Sequence, residues 1–268
     1  MTCRRWRELS TTDFASIDPG RTPVVLPIGS IEQHGPHLPV GTDTLIVEAV
    51  VDGVMQQLAD VPCLFLPTVW ASKSNEHSAF AGTVSLSHEA LSLVVADIAG
   101  SVARAGFRKL VFMNGHGGNT GLLDVLGRDV RERLGLLVFG LELPAFYTPP
   151  EPPPGAPARF DIHAGYFETS VLLARYPRSM EGRHFVGLGS DRERGRVAAS
   201  FDGFKYLTPE GKPVSVSWLT KDYTDDGVVG DPTQAGAAFG QLAFEKLVKT
   251  VCEVLREVAA FEFRGQPS

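Results

Sequence analysis

The first apolar run, Pro23 to Ile28, carries two adjacent valines between turn-prone Gly20 and Gly29, which predicts a buried strand ending at Gly29. Beyond it, Leu45, Val47, Ala49, Val50, Val54 and Leu58 fall mostly three or four apart, the spacing of a helix packed on a sheet. Val61 to Val69 reads as a second strand, which Pro62 and Pro67 confine to its ends or to an edge. A helix is expected from His88 to Ala105, with Ser87 as N-cap and Gly106 as its stop. Leu110 to Met113 is a further strand, followed by a glycine-rich loop, a helical pattern from Leu122 to Leu134 and a strand from Leu136 to Leu141. Strands and helices alternate, so the expected fold is α/β: a single domain over residues 1–268, with a mainly parallel sheet flanked by helices. Ligands in such sheets bind beyond the carboxyl ends of the strands. Two polar clusters fall there, one after the first strand and one after Met113.

The second half is less regular. Pro149, Pro150, Pro152, Pro153, Pro154 and Pro157 are too many for a helix or a paired strand. The segment 146–161 therefore reads as an exposed loop, or as one that shapes the site or a subunit contact. Gly165 to Ala174 enters a helix, and Arg183 to Pro213, rich in glycine and charge, reads as a loop region. Phe244, Leu247, Val248, Val251, Leu255 and Val258 mark a long amphipathic helix that covers the sheet. No internal repeat is visible.

Composition narrows the function classes. With 43% hydrophobic residues the chain has ample material for a core. Its 25 Lys+Arg against 31 Asp+Glu, a net charge of -6, argue against a nucleic-acid or anionic-membrane partner and for a small or neutral substrate. Cys3, Cys63 and Cys252 are far apart and odd in number, so neither a disulfide framework nor a C-x-x-C pair is expected, and the cytoplasm is the natural compartment. Arg4, Arg5 and Arg7 run into the polar stretch from Glu8 to Asp13, without the apolar segment of a signal peptide. No run approaches the roughly 20 apolar residues of a membrane span.

The richest chemistry follows the first strand. In an extended segment Glu32 and His34 point to one side, and Asp43 returns after a loop punctuated by proline and glycine. Two carboxylates and an imidazole at a strand exit are good ligands for a first-row metal, or else ordinary polar loop residues. His116 sits among Gly115, Gly117 and Gly118, where the backbone can approach something bulky. The spacing fits neither phosphate-binding glycine motif, so a ligand histidine is preferred over a nucleotide cradle. In the third cluster Glu168 lies near a helix start, where a carboxylate also serves as a cap. His163 before it is an acid or base, a ligand or a polar loop residue. Glu76 and His77 form a weaker set that also reads as a simple polar loop.

Three motifs, G-S-x-E-Q-H-G-P-H-L-P-x-G-T-D at 29–43, N-G-H-G-G-N at 114–119 and H-A-G-x-x-E-T-S at 163–170, together resemble the creatininase (creatinine amidohydrolase) family. S-N-E-H-x-x-F-x-G-T at 74–83 and G-D-P at 230–232 extend the resemblance over about residues 20–250. It implies an α/β fold, a dinuclear metal centre, hydrolysis of C–N bonds and a homohexamer. Carried over by motif, Glu32 and His116 hold one metal, His34 the other, Asp43 bridges both and His163 is the catalytic histidine. His37, Glu76, His77, Asn114, Gly117, Gly118 and Asn119 then contact substrate or support the ligands. Creatininase proper has a glutamate ligand two residues after the motif histidine, where this chain has Gly118, and Glu168 is the candidate for that ligand. Members with the Gly-Gly form include a formylamino-pyrimidine deformylase and the peptidase that trims the mycofactocin precursor, which points away from creatinine itself.

If Glu32, Asp43 and Glu168 converge, one divalent ion leaves a formal charge of about -1, whereas two give about +1, which a bound hydroxide neutralises. Zinc is the first choice of metal, with manganese or iron as alternatives on these ligands. Lowering the pKa of water from 15.7 to about 7 is worth on the order of 10 kcal/mol. The expected reaction is attack of a metal-bridging hydroxide on an amide, cyclic amide or formamide carbonyl, with His163 carrying the proton to nitrogen. One alternative is a peptidase trimming a short peptide. The other, of a different class, is a non-catalytic metal-binding or assembly subunit, and metal stoichiometry separates it from the enzymes.

Overall fold

The computed structural model describes residues 3–147, 161–185, 188–189, 191–207 and 214–263. Its strands are β1 (Cys3–Arg5), β2 (Val24–Ile28), β3 (Cys63–Phe65), β4 (Lys109–Asn114) and β5 (Leu137–Glu142). Its helices are α1 (Thr42–Gln57), α2 (His88–Arg104), α3 (Thr120–Leu134), α4 (Tyr166–Arg175), α5 (Pro177–Met180), α6 (Asp191–Phe201), α7 (Thr220–Tyr223) and α8 (Ala237–Ala260). The strands pair in parallel in the order β1-β3-β2-β4-β5.

Alternation along the strands separates two cores. Val24, Leu26, Ile28, Leu110 and Phe112 face α2 and α3 through Leu91, Val95, Ala99, Leu123, Leu126 and Val130. Val25, Phe65, Val111 and Met113 face the other way, toward α1, α4 and α8, where Phe244, Leu247, Val248, Val251, Leu255 and Val258 are all buried. The fold is therefore three-layered, and the helical stripes anticipated from spacing are the ones that pack. Ser87 caps α2 as expected, its Oγ accepting from Ala90 N–H at 3.2 Å, and Gly106 at φ +89° turns the chain away from that helix.

Pro62 and Pro67 fall outside the two ends of β3, one of the two placements expected; the strand is interior, paired on one side to β1 and on the other to β2. Two expectations need correction. A short edge strand, β1, precedes the run at Pro23; at three residues it carries no periodic signal. Within 183–213, read as loop, α6 forms: its first half is polar, and among its described side chains Val197 and Phe201 pack with Tyr223 and Val229 while Arg196 Nε donates to Tyr223 O at 3.2 Å. The proline-rich segment lies, over 148–160, outside the described residues. Two of the cysteines, distant in sequence, approach one another, since Cys3 and Cys63 are register partners; all three are buried and outside any disulfide. No described helix is long and apolar enough to cross a membrane.

The sheet order creates the crevice. β2 and β4 are neighbours, and the connection leaving β2 runs to β3 on one side while that leaving β4 runs to β5 on the other, so the two diverge and open a gap at the carboxyl ends. Gly29, at the end of β2, lets that strand press on α1, because a methyl there would overlap the backbone and side chain of Thr44. Thr44 Oγ1 donates to Ser30 O at 3.0 Å, fixing the first turn of α1, and with it Asp43, beside the strand exit.

Candidate metal centre

Glu32, His34, Asp43, His116 and His163 are all buried and converge in this crevice. Each histidine is held by one ring nitrogen on a backbone carbonyl. His34 Nδ1 donates to Glu32 O at 3.1 Å, His116 Nε2 to Lys73 O at 3.0 Å and His163 Nε2 to Gln33 O at 2.6 Å. These partners assign the tautomers and turn the second nitrogen of every ring toward carboxylates. His34 Nε2 lies 3.2 Å from Asp43 Oδ1 and 3.9 Å from Glu168 Oε2. His116 Nδ1 lies 3.0 Å from Glu32 Oε2 and 3.2 Å from Asp43 Oδ2. His163 Nδ1 faces Glu32 Oε1 at 3.6 Å. Asp43 thus presents one oxygen to each half of the cavity.

Glu168 stands at the start of α4, beside the cluster. It accepts Ala164 N–H at 2.7 Å at the start of α4 and reaches toward His34. The turn before it is tight: Ala164 has φ +55°, and Asp161 accepts the N–H groups of Tyr166 and Phe167, both at 3.0 Å. Non-glycine residues seldom adopt that conformation. It lets His163, paired with Val229, and Glu168 point into one cavity.

The remaining residues divide. His77, weak in sequence, is central: its Nε2 lies 3.4 Å from Glu32 Oε1, and Nδ1 meets Gln33 Nε2 and Thr220 Oγ1, both at 2.8 Å. Glu76 sits beside His116 Nε2 at 3.4 Å. Asn114 and Asn119 brace the loop: Asn114 Nδ2 donates to His116 O and Glu142 Oε2, both at 2.7 Å, and Asn119 Nδ2 to Ser72 Oγ at 3.0 Å. His37 packs behind the cluster, its Nε2 on Thr169 Oγ1 at 2.9 Å. A methyl at Gly117 meets nothing, and Gly115 makes room for Val47 of α1. The glycine loop therefore serves close packing within the protein. Gln33, which contacts His77, His163 and Gly227 O at once, escaped the sequence reading because an amide is not a typical ligand.

Electrostatics follow from burial. Burial opposes charge on His34, but Asp43, Glu168 and Glu32 outweigh it and raise its pKa to about 10. His116 is likewise held well above its ordinary value against burial, first by Glu32. Asp43, despite burial, is pulled below the carboxylate range by His34 and His116. Burial pushes Glu168 up to about 8 despite the opposing pull of His34, with Asp43 adding to the rise. The proton on His34 therefore belongs with Asp43, its nearer neighbour. His163 is driven well below its ordinary value by burial and by His34 and His77, and His37 falls to about 4 chiefly through burial.

Two buried atoms, His34 Nε2 and Asp43 Oδ2, lack a well-formed hydrogen bond although both face the cavity. Donor groups that could hold a cation include Glu32–His34–Asp43 and His34–His163–Glu168, each with ligand atoms within 4.8 Å of one another. Orphaned donors among hard oxygen and imidazole ligands suit divalent metal ions.

Comparison with known proteins agrees with this picture. A family model described as creatinine amidohydrolase matches residues 7–255. A mycofactocin precursor peptide peptidase of Mycobacterium tuberculosis is 36% identical over 255 residues, covering 90% of this chain and 87% of that protein. A solved manganese creatininase superposes with a TM-score of 0.70 at 27% identity, covering 94% of this chain and 97% of the other. A mutant creatininase of zinc–zinc type superposes with a TM-score of 0.71 at 27% identity and the same coverage.

Proposed function

The chain belongs to the creatininase family, and from that membership we propose a dinuclear metal-dependent amidohydrolase that cleaves an amide, cyclic amide or formamide C–N bond of a small molecule. The supporting observation is the set of three histidines, each anchored by a carbonyl and each turning its other nitrogen to the same buried carboxylates. In this reading Glu32, His116 and Asp43 would hold one cation, and His34, Asp43 and Glu168 would hold the second. Zinc is the first choice, with manganese or iron as alternatives. The cations supply Lewis acidity toward a carbonyl oxygen and acidify water enough for it to ionise near neutral pH.

The chain's own groups do the rest. His163 Nδ1, neutral and facing the cavity, takes a proton from the attacking water and returns it to the leaving nitrogen. Gln33 O, through Nε2–H, keeps that imidazole in the required tautomer. The buried walls exclude bulk water from the exchange. We read residues 1–268 as one such domain, acting in the cytoplasm as a homo-oligomer, a hexamer by family resemblance. Three buried thiols outside any disulfide fit a reducing compartment.

A second reading, trimming of a short peptide, is favoured by the 36% identity to the mycobacterial peptidase over 90% of this chain. Elemental analysis followed by a hydrolysis screen over lactams, formamides and short peptides, with each metal restored, decides between them. The expected result is about two metals per subunit and turnover of small amides. Turnover confined to peptides replaces the first reading with the second. Metal-poor, inert protein leaves the non-catalytic subunit.

Metal uptake must displace the protons held by His34 and His116, so affinity rises with pH. Competition with a chromogenic chelator between about pH 6 and about pH 8 should show zinc binding strengthening about 10- to 100-fold per pH unit, as one or two protons are released. A flat profile contradicts the assignment of these two rings as ligands.

A further inference from the structure

The turn Asn75–His77, on the connection from β3 to α2, touches the cluster from outside. Glu76 Oε1 lies 3.4 Å from His116 Nε2, on the ring edge opposite the Nδ1 that faces Glu32 and Asp43. Its neighbour His77 meets Glu32 at 3.4 Å. The turn is tied down by Thr220 Oγ1, which donates to Glu76 O at 3.0 Å. Across the gap, a methyl built on Gly118 would overlap both Glu76 Oε1 and His116 Nε2, whereas one on Gly117 meets nothing within 4 Å. The carboxylate of Glu76 thus fills the volume that a side chain at 118 would need. A side chain at 118 would have to displace Glu76 and the His116 ring edge.

We propose that Glu76 is a positioning residue for His116, its carboxylate filling the space left by Gly118 and gripping the outer edge of the imidazole so that Nδ1 stays presented to the cavity. This inference rests on the reading of the cavity as a metal centre. A carbonyl, Lys73 O, already sets the tautomer. The carboxylate adds negative charge next to Nε2–H, which increases the basicity of Nδ1 and restrains the ring. Outer partners of this kind typically contribute 10–100-fold to metal affinity.

The test compares wild type, Glu76→Ala and Glu76→Gln, all stripped of metal, by melting temperature and by zinc affinity in chelator competition. Glu76→Ala should bind zinc about 10- to 100-fold more weakly, with the melting temperature of the metal-free protein little changed. Glu76→Gln, which keeps the shape beside His116 but not the charge, should show a smaller loss in the same direction. If the alanine variant does not fold, the isosteric glutamine variant carries the test. Unchanged affinity in either folded variant overturns the proposal, as does a lowered melting temperature with affinity preserved. Failure of the wild type itself to bind zinc, manganese or iron instead removes the metal reading on which the proposal stands.

Discussion

Asp43→Asn should empty the centre of metal and lower turnover on the order of 10⁴-fold. Asp43 turns one oxygen to His34 and the other to His116, each at 3.2 Å, so it addresses both halves of the cavity. Asparagine keeps the volume and the start of α1, but it places an NH₂ where one half needs an anion. It also removes one of the three negative charges that make two cations tolerable in a buried site. The acidified water is worth on the order of 10 kcal/mol, and losing about half of that costs about 10⁴-fold in rate. His34 also loses its nearest carboxylate, so its pKa would fall from about 10. Elemental content, turnover and far-UV circular dichroism should be measured together. Full metal content in the variant removes Asp43 from its bridging place, and lost secondary structure would make it a folding residue.

The ligand candidates were legible because each belongs to a contiguous sequence word at a strand exit or a helix start. Glu32 and His34 follow β2, His116 follows β4 and Glu168 opens α4. Period-two and period-3.6 patterns located those elements, and the strand-end rule placed the words on one rim. What stayed hidden depends on neighbours distant in the chain. Gln33 reads as an unremarkable amide until His77 and His163 arrive from 44 and 130 residues away. Gly115 and Gly118 both looked like room for a ligand, but the first accommodates Val47 and the second Glu76. A missing Cβ declares that something comes close without saying what. β1 and α6 were missed for the complementary reason. Three residues are too few to show a period, and a helix with only two large apolar residues, Val197 and Phe201, has too short a stripe to reveal it.

His163→Ala should lower turnover 10²–10⁴-fold, the usual contribution of a positioned acid–base group, while the metal content stays at the wild-type level. The separation follows from geometry. The cavity-facing Nδ1 of His163 lies 3.6 Å from Glu32, whereas His116 Nδ1 approaches that residue to 3.0 Å, so His163 sits at the margin of the donor set. Burial and the neighbouring His34 and His77 hold its pKa well below the ordinary histidine value. The sign follows: a base with a depressed pKa is already unprotonated at neutral pH and stays so as the solution is acidified. The acid limb of wild-type kcat/KM attributable to His163 should therefore lie below about pH 6.5. In His163→Ala that limb should vanish, and added imidazole should restore part of the rate. His163 also belongs to two of the donor groups able to hold a cation, so the competing role is concrete. If alanine removes metal together with turnover, His163 is a ligand, and the proton must be carried by another buried base, with His77 the nearest imidazole to the same carboxylate oxygen.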